Sequence, residues 1–171
     1  MSLLLQALRH NKGTTKSVIF IAISTLLRRL TLITELGHLA FAAHDLKLSL
    51  AFYDKLGLHE AFRLHNEDGS LMLVYLHVKG DRFIEVFPNG PVPDPDRQGS
   101  FMHLCLVVDD LQVTVEHFRR DGVAIEQEPK VGLDHNWQAW IRDPDGNPIE
   151  LMQLVETSPQ RHAARGEQAK L

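Results

Sequence analysis

The chain contains one pattern twice, at a constant offset of 65 residues, and this repeat limits the possible folds more than any other feature. His38 and His103 are separated by that offset. Without a gap, it also relates five further pairs of identical residues: Asp45 and Asp110, Leu46 and Leu111, Gly57 and Gly122, Ile84 and Ile149, and Glu85 and Glu150. A repeat of this length is typical of a supersecondary module. We therefore interpret residues 36–88 and 101–155 as two copies of one module, joined by a proline- and glycine-rich linker at 89–100.

The sequence of each module predicts the element order β-α-β-β-β. In the first, the strand GHLAFAA precedes the helix LKLSLAFYDKL, which Asp45 caps and Gly57 ends. Its remaining strands are predicted near residues 58–64, 71–78 and 82–88. In the second module a strand at 101–108 precedes a helix between Asp110 and Gly122, and further strands are predicted at 123–128, 136–142 and 148–155. The sequence thus predicts an α+β fold whose two modules curl around one shared cleft.

Composition excludes several classes of function. The 18 Lys and Arg residues against 22 Asp and Glu residues give a net charge of −4, which offers no electrostatic footprint for nucleic acid. No apolar run reaches the roughly 20 residues that span a bilayer, so no membrane association is predicted. Cys105 is the single cysteine, so no disulfide can form within the chain, and a reducing, cytoplasmic compartment is predicted.

Both ends of the chain lie outside the repeat. Residues 1–34 contain no acid, and their apolar run Ser17–Leu27 is too short for a membrane span and lacks a following signal-peptide cleavage site. We interpret them as an N-terminal extension upstream of one domain at 35–156, with an organellar transit segment as the alternative from composition alone. The polar residues 157–171 predict a mobile tail.

Four polar residues stand inside otherwise apolar strands: His38, Glu85, His103 and Glu150. An ionised carboxylate is costly in such a place unless it is paired or bound to a metal. A single His or Glu in a strand is usually structural, but here the interval from His to Glu is 47 residues in both modules. Two imidazoles and two carboxylates form a sensible ligand set for a divalent transition metal. Histidines without this support are predicted to lie at the surface or rim: His44, His59, His65, His77, His117 and His135.

This repeat, with a His opening and a Glu ending each half, resembles the vicinal oxygen chelate superfamily of glyoxalases, bleomycin-resistance proteins and extradiol dioxygenases. The segments SLAFYDKLGL and DPDGNPIEL are also similar to that superfamily, and the resemblance covers about residues 36–155. Within it, the His-Glu-His-Glu set resembles the glyoxalase I (lactoylglutathione lyase) branch. The resemblance implies a homodimeric enzyme with one divalent ion per site, Ni or Zn first, with Co, Mn or Fe as alternatives. It implies His38, Glu85, His103 and Glu150 as the metal ligands.

The resemblance also implies a reaction, the conversion of the hemithioacetal of a 2-oxoaldehyde such as methylglyoxal and a thiol into a 2-hydroxyacyl thioester. Glu150 is implied as the catalytic base as well as a ligand, and Asn89 as a residue that binds the thiol. Trp137 and Trp140 alternate to opposite faces of one strand, so we expect one of these two candidate substrate-binding indoles to line the pocket.

The chain departs from glutathione-using members at two positions. Those enzymes commonly carry arginines where this chain has Ala42 and Gly99, so the identity of the thiol stays open. Three alternatives to the glyoxalase reaction also stay open. They are another metal-dependent enzyme of the superfamily (an epimerase or an extradiol-type dioxygenase), a non-catalytic protein that binds a small molecule, and a structural metal site.

Overall fold

The computed structural model describes residues 33–94 and 99–168. The chain divides into two compact units, Met1–Leu36 and Gly37–Leu171, and both modules of the repeat belong to the second unit. The predicted N-terminal extension at 1–34 lies almost entirely outside the described residues. No helix of the described residues is long and apolar enough to cross a membrane.

The first module forms a four-stranded sheet with one helix. Its elements are β1 (His38–Ala42), α1 (Leu46–Lys55), β2 (Glu60–His65), β3 (Leu71–Lys79) and β4 (Arg82–Phe87). The strand order in the sheet is β1-β4-β3-β2, with β1 parallel to β4 and the other pairs antiparallel. Asp45 caps α1 because its side chain accepts a 3.0 Å hydrogen bond from the Leu48 amide. Gly57 follows the helix with φ +80°, a conformation that glycine adopts without a Cβ clash.

The second module repeats this architecture. Its elements are β5 (Leu104–Val107), α2 (Leu111–Arg120), β6 (Gln127–Val131), β7 (Trp137–Arg142) and β8 (Pro148–Gln153). The order β5-β8-β7-β6 matches that of the first sheet, and β5 again runs parallel to β8. Asp110 caps α2 as Asp45 caps α1. The predicted α+β fold with two βαβββ modules is therefore confirmed, as two open four-stranded sheets.

Two strands of the second module differ from their predicted bounds. The third element was expected at residues 123–128, but β6 lies at 127–131 and contains Pro129. Val123 is buried directly after α2, and its amide donates to the Phe118 carbonyl. This segment therefore packs against the end of the helix, and pairing with β7 begins only further along the chain. Because β6 pairs only with β7, it is an edge strand, where a proline without a donor is tolerated. The first strand, β5, begins at Leu104 rather than at residue 101.

The segment predicted as a mobile tail contains a short helix, α3 (Pro159–Ala164). Ser158 caps it by accepting a hydrogen bond from the Arg161 amide, and Pro159 occupies its first turn. Ser158 and Pro159 are both buried. A Ser-Pro pair is a recognised start signal for a helix, and the polar composition of the segment concealed it.

One hydrophobic core includes buried residues of both modules. Ile84 and Ile149, which the repeat relates, are both buried in it. Hydrogen bonds cross between the modules at the turn between β7 and β8. The Tyr53 hydroxyl donates to Asp143 at 2.9 Å, the Ser49 hydroxyl to Asp145 at 3.1 Å, and the His44 amide to Asp145 at 2.9 Å. The helix of the first module is therefore anchored to a hairpin turn of the second.

Candidate metal centre

The first predicted pair of ligands lies on neighbouring parallel strands. His38 opens β1 and Glu85 lies in β4, where it is in register with Ala40. Residues two apart on a strand share a face, so His38 and Glu85 point to the same side of the sheet. Their side chains approach to 3.7 Å between Nε2 and Oε2. Glu85 is only 8% exposed, whereas the His38 ring is accessible.

The second pair repeats this arrangement. His103 directly precedes β5, and its Nε2 lies 3.2 Å from Oε2 of Glu150 on β8. Glu150 is 5% exposed. The Trp140 ring contacts the His103 ring edge to face, with centroids 5.0 Å apart. Each module thus carries one buried carboxylate beside one more accessible imidazole, on equivalent strands.

Each of the two glutamates has a further neighbour on a flanking strand, and the neighbours differ. Tyr75 lies directly opposite Glu85 on the antiparallel strand β3, and interaction with that carboxylate is the main cause that raises the pKa of Tyr75. Cys105 lies beside Glu150 on the parallel strand β5. Partial burial of the thiol is the main cause that raises the pKa of Cys105 to about 12, and the charge of Glu150 adds to it.

Aromatic side chains form a wall beside the first pair. The Phe62 ring stacks on Tyr75, with centroids 4.3 Å apart and an interplanar angle of 20°. Phe83, in register with His38, meets Tyr75 edge on at 5.8 Å. Phe62 remains 45% exposed. This aromatic wall (Phe62, Tyr75 and Phe83) gives the first pair an apolar surface on the same face of the sheet.

In the described part of the chain, the two pairs do not come together as one site. Among residues 33–94 and 99–168, no three His, Cys, Asp or Glu side chains are grouped so that they could hold a metal ion. A cleft of about 1060 Å³ does open between the modules, and Phe41, Tyr53 and Asp143 contribute to its lining. None of the four predicted ligands lines this cleft. Each module therefore offers half of the predicted ligand set.

The chemistry of the donors fits a divalent transition metal. Two imidazole nitrogens and two carboxylates suit ions such as Ni²⁺ and Zn²⁺. Burying a carboxylate that is not neutralised is costly, and the side-chain partner described for each of Glu85 and Glu150 is an imidazole. A cation placed between imidazole and carboxylate would offset that cost. Four protein donors would leave coordination positions for substrate on a six-coordinate ion.

Of the other predicted residues, Trp140 lies at the second pair, whereas Trp137 and Asn89 do not belong to either pair. Trp140 is in register with Glu150 and shares its face, so Trp137 faces the opposite side of the sheet. Asn89 is exposed after β4 with φ 63°, and the next residue, Gly90, donates its amide to the Ala43 carbonyl. Substrate binding by Trp137 and Asn89 stays a prediction.

Sequence reasoning missed Tyr75 and Cys105 as neighbours of the glutamates on the flanking strands. The repeat contained a signal for both residues. The 65-residue offset relates Tyr75 to Trp140 and Ala40 to Cys105, so equivalent positions in the two modules carry different side chains. Phe62 gave no such signal, because its counterpart is Gln127 and the aromatic wall exists in one module only.

Known proteins share both the sequence pattern and the fold. A protein named "Probable lactoylglutathione lyase" from Vibrio cholerae is 30% identical over 124 residues, covering 68% of this chain and 88% of the relative. The crystal structure of a glyoxalase family protein from Enterococcus faecalis matches with a TM-score of 0.61 at 23% identity, covering 71% of this chain and 99% of that one. An antibiotic-binding protein from Streptomyces matches with a TM-score of 0.59 at 26% identity, over 72% of this chain and 98% of that one.

The family model described as "Glyoxalase/Bleomycin resistance protein/Dioxygenase superfamily" matches residues 35–151. That range contains both His–Glu pairs, nearly all of the two modules and the linker at 89–100 that joins them. The chain therefore belongs to the glyoxalase/bleomycin resistance protein/dioxygenase superfamily.

Proposed function

We propose that the protein is a divalent-metal-dependent enzyme of glyoxalase I type, which isomerises the hemithioacetal of a 2-oxoaldehyde and a thiol to a 2-hydroxyacyl thioester. One observation carries the proposal. Equivalent strands of the two modules each place a buried carboxylate within 4 Å of an imidazole, at 3.7 Å and 3.2 Å. Relatives about 30% identical that bear the name probable lactoylglutathione lyase support the same reaction class.

We infer that a complete metal site needs two copies of the chain. Each pair supplies only two ligands, and the described residues of one chain do not bring the pairs together. In a symmetric dimer, the face of the first sheet in one copy can meet the face of the second sheet in its partner. Two equivalent sites then form, each with His38 and Glu85 from one copy and His103 and Glu150 from the other.

The residues at the site suit a proton transfer between neighbouring carbons. When bound, the metal ion would act as a Lewis acid toward two adjacent oxygens of the substrate. Glu150 takes the proton from one carbon and returns it to the next, because a carboxylate held beside the carbon works as a general base. Trp140 covers His103 and helps to exclude water, which strengthens the electrostatic interactions of the charged groups. The aromatic wall offers an apolar surface for the substituent of the oxoaldehyde.

The thiol is the open part of the substrate. Ala42 and Gly99 cannot pair with the carboxylates of glutathione as arginines would. Asn89 can donate a neutral hydrogen bond only. We therefore propose that this protein recognises its thiol less through carboxylate groups than the arginine-bearing enzymes recognise glutathione.

The test couples metal analysis with turnover. Purified full-length protein is analysed for bound metal, stripped with a chelator, and reloaded with Ni²⁺, Zn²⁺, Co²⁺ or Mn²⁺. Each form is then assayed with methylglyoxal premixed with glutathione or with other low-molecular-weight thiols. We expect metal-dependent thioester formation with at least one thiol. Stoichiometric metal without turnover of any adduct would contradict the proposed reaction.

A second function is favoured by the exposed aromatic wall and by the similarity to the antibiotic-binding protein. A flat apolar ligand could stack on Phe62 without any chemistry, since its ring is 45% exposed. Such a protein would bind its ligand stoichiometrically, and removal of the metal would leave that binding intact. Equilibrium dialysis of a flat aromatic compound with and without chelator separates the two functions.

A further inference from the structure

The loop between β6 and β7 holds a carboxylate, that of Asp134, over the face of the second sheet that carries Glu150. Trp140 lies opposite Glu150, and Gln138, two residues earlier in β7, shares the face of Trp140. The Gln138 side-chain amide donates to Oδ1 of Asp134 at 3.0 Å. Because a strand advances by about 3.3 Å per residue, Gln138 lies roughly 7 Å along the sheet from the level of Glu150. Asp134 therefore borders the proposed metal centre without belonging to it.

Asn136 holds the Asp134 carboxylate in place. Its side chain is completely buried and donates from Nδ2 to Oδ2 of Asp134 at 2.8 Å. The same amide group donates to Gln160 in α3, and its oxygen accepts a 2.9 Å hydrogen bond from the Val155 amide. One buried side chain thus joins the β6–β7 loop, the chain that follows β8, and the C-terminal helix. The carboxylate is oriented before a ligand arrives, which lowers the entropy cost of binding.

The negative charge of Asp134 has no cationic partner in the part of the chain that the structure describes. Its donors are neutral amides: the Asn136 backbone, the Asn136 side chain and the Gln138 side chain. Lys130 lies opposite Gln138 on β6 but forms no ion pair with Asp134. A carboxylate has about four acceptor sites, so three donors leave room for another. A half-buried charge that only neutral donors support favours the binding of a cation.

The first module has no equivalent of this group. The 65-residue offset relates Asp134, Asn136 and Gln138 to Gly69, Leu71 and Leu73. The corresponding turn of the first module is shaped by Asp68, an exposed residue that accepts hydrogen bonds from the amide and the hydroxyl of Ser70 at 2.9 and 2.6 Å. An acidic turn residue of that kind is enough for the fold. The bond from Gln138 is an addition that brings the Asp134 carboxylate over the face of the sheet.

We propose that Asp134 is a specificity-determining residue that binds a positively charged group on the thiol half of the substrate. The inference rests on the proposed glyoxalase reaction and names the class of thiol, one that carries an ammonium or guanidinium group a few bonds from its sulfur. Ala42 and Gly99, which cannot pair with carboxylates, agree with a thiol of this charge. A charge-assisted hydrogen bond from such a cation is about twice as strong as a neutral one. Asp134 takes no part in the proton transfer.

The test compares three thiols of similar size that differ in charge. Methylglyoxal is premixed with dimethylaminoethanethiol, which is cationic at neutral pH, with neutral isoamyl thiol, or with anionic mercaptopropionate. The tertiary amine cannot condense with the aldehyde as a primary amine would. We expect wild-type kcat/KM to be about tenfold higher for the cationic adduct than for the neutral one, mainly through a lower KM, because a hydrogen bond to a charged group contributes that much.

Three variants assign the effect to Asp134. Asp134→Asn should lower kcat/KM for the cationic adduct about tenfold and leave the neutral adduct within about twofold of wild type. Lys130→Gln should instead increase the preference for the cationic adduct, because it removes a like charge opposite Gln138. Asp68→Asn is the matched control, which removes one charge from the equivalent turn and should change either adduct by less than about twofold. Thermal midpoint and metal content of each variant check the fold and the metal centre.

A binding measurement separates this inference from the proposed reaction. The acetonyl thioethers of the cationic and neutral thiols keep the carbon skeleton of the adduct but lack its hydroxyl, so they do not isomerise, and calorimetry measures their Kd. We expect the cationic thioether to bind about tenfold more tightly than the neutral one in wild type and equally in Asp134→Asn. If this difference is found but no adduct is turned over, the proposed reaction fails and the binding role of Asp134 stands.

Two results would overturn the inference. The first is equal binding of the two thioethers by wild type, or an unchanged preference in Asp134→Asn. The second is a preference for the mercaptopropionate adduct that Lys130→Gln abolishes, because Lys130 would then recognise the thiol.

Discussion

The hydroxyl of Tyr53 donates a 2.9 Å hydrogen bond to the carboxylate of Asp143, and both residues are buried. Tyr53 belongs to the helix of the first module and Asp143 to the turn between the last two strands of the second. The same carboxylate accepts bonds from the amides of Asp145 and Asn147 and from the Asn147 side chain. Asp143 thus shapes the turn, and its bond from the Tyr53 phenol is one of three that tie the turn to the other module. This contact helps to hold the turn against the helix of the first module.

Tyr53→Phe should lower the free energy of unfolding by about 1–3 kcal/mol, because it leaves a buried carboxylate short of one partner. Urea denaturation followed by circular dichroism measures this loss. Tyr75→Phe provides the matched control, since it removes the hydroxyl of the other tyrosine, which is only partly buried. A loss no larger than that of Tyr75→Phe would contradict the expected contribution of the Tyr53 bond to stability.

The free energy of unfolding should fall steeply as pH rises above about 10, the ordinary pKa of tyrosine. Burial raises the pKa of Tyr53 above that value, and the charge of Asp143 and its hydrogen bond raise it further. The unfolded chain then loses the Tyr53 proton before the folded one does, so unfolding is favoured as pH rises. Below pH 10 the contribution is fully present. Urea midpoints between pH 8 and about pH 11 should show a smaller decline for Tyr53→Phe than for wild type.

The two glutamates should respond differently to substitution by glutamine. Glu150→Gln keeps an oxygen for the metal but cannot accept a proton, so we expect it to retain much of its metal and to lose turnover by roughly 10²-fold or more. Glu85→Gln should be milder in turnover. Metal content and steady-state kinetics of both variants show which glutamate is the base. An active Glu150→Gln beside an inactive Glu85→Gln would reverse the assignment of the base.

Removal of residues 1–34 should leave the domain intact. The family model begins at residue 35, and Gly37–Leu171 forms a compact unit by itself. A shortened chain beginning at Glu35 should match the full chain in thermal midpoint, metal content and turnover. Aggregation of the shortened chain, or its loss of dimerisation, would mean that the extension has a structural role.

The sequence predicted the fold well because local signals and the repeat agreed. Asp45 and Asp110 mark helix starts, and both cap as expected, because a short carboxylate can reach the free amides of the first turn. The equal His-to-Glu intervals predicted that both pairs lie on equivalent strands, and the structure brings each Glu close to its own His. The prediction failed for the bounds of β6, which lies at 127–131 and contains Pro129, a residue that an edge strand tolerates.

The candidate site was harder to predict, because its parts depend on pairing between strands distant in sequence. Tyr75 reaches Glu85 only through the register of β3 with β4, and Cys105 reaches Glu150 only through that of β5 with β8. The repeat indicated that four ligands act together, but spacing within one chain carries no information on whether one copy or two supply them.

Loss of either histidine should remove metal from the protein to the same extent. Each pair supplies two ligands, so His38→Ala and His103→Ala both leave three in a shared site. Metal content per chain of the two purified variants should therefore fall alike. Independent retention of metal by the unaltered pair in either variant would contradict a shared site.

The most direct test uses a heterodimer, purified through two different tags, in which one copy carries His38→Ala and the other His103→Ala. If each site joins the first module of one copy to the second module of its partner, one site receives both changes and the other neither. We then predict about half of the wild-type turnover and one tightly bound metal ion per dimer, although both parent variants are inactive. If each chain builds its own site, both sites are damaged. A heterodimer as inactive as its parents would contradict the shared metal centre.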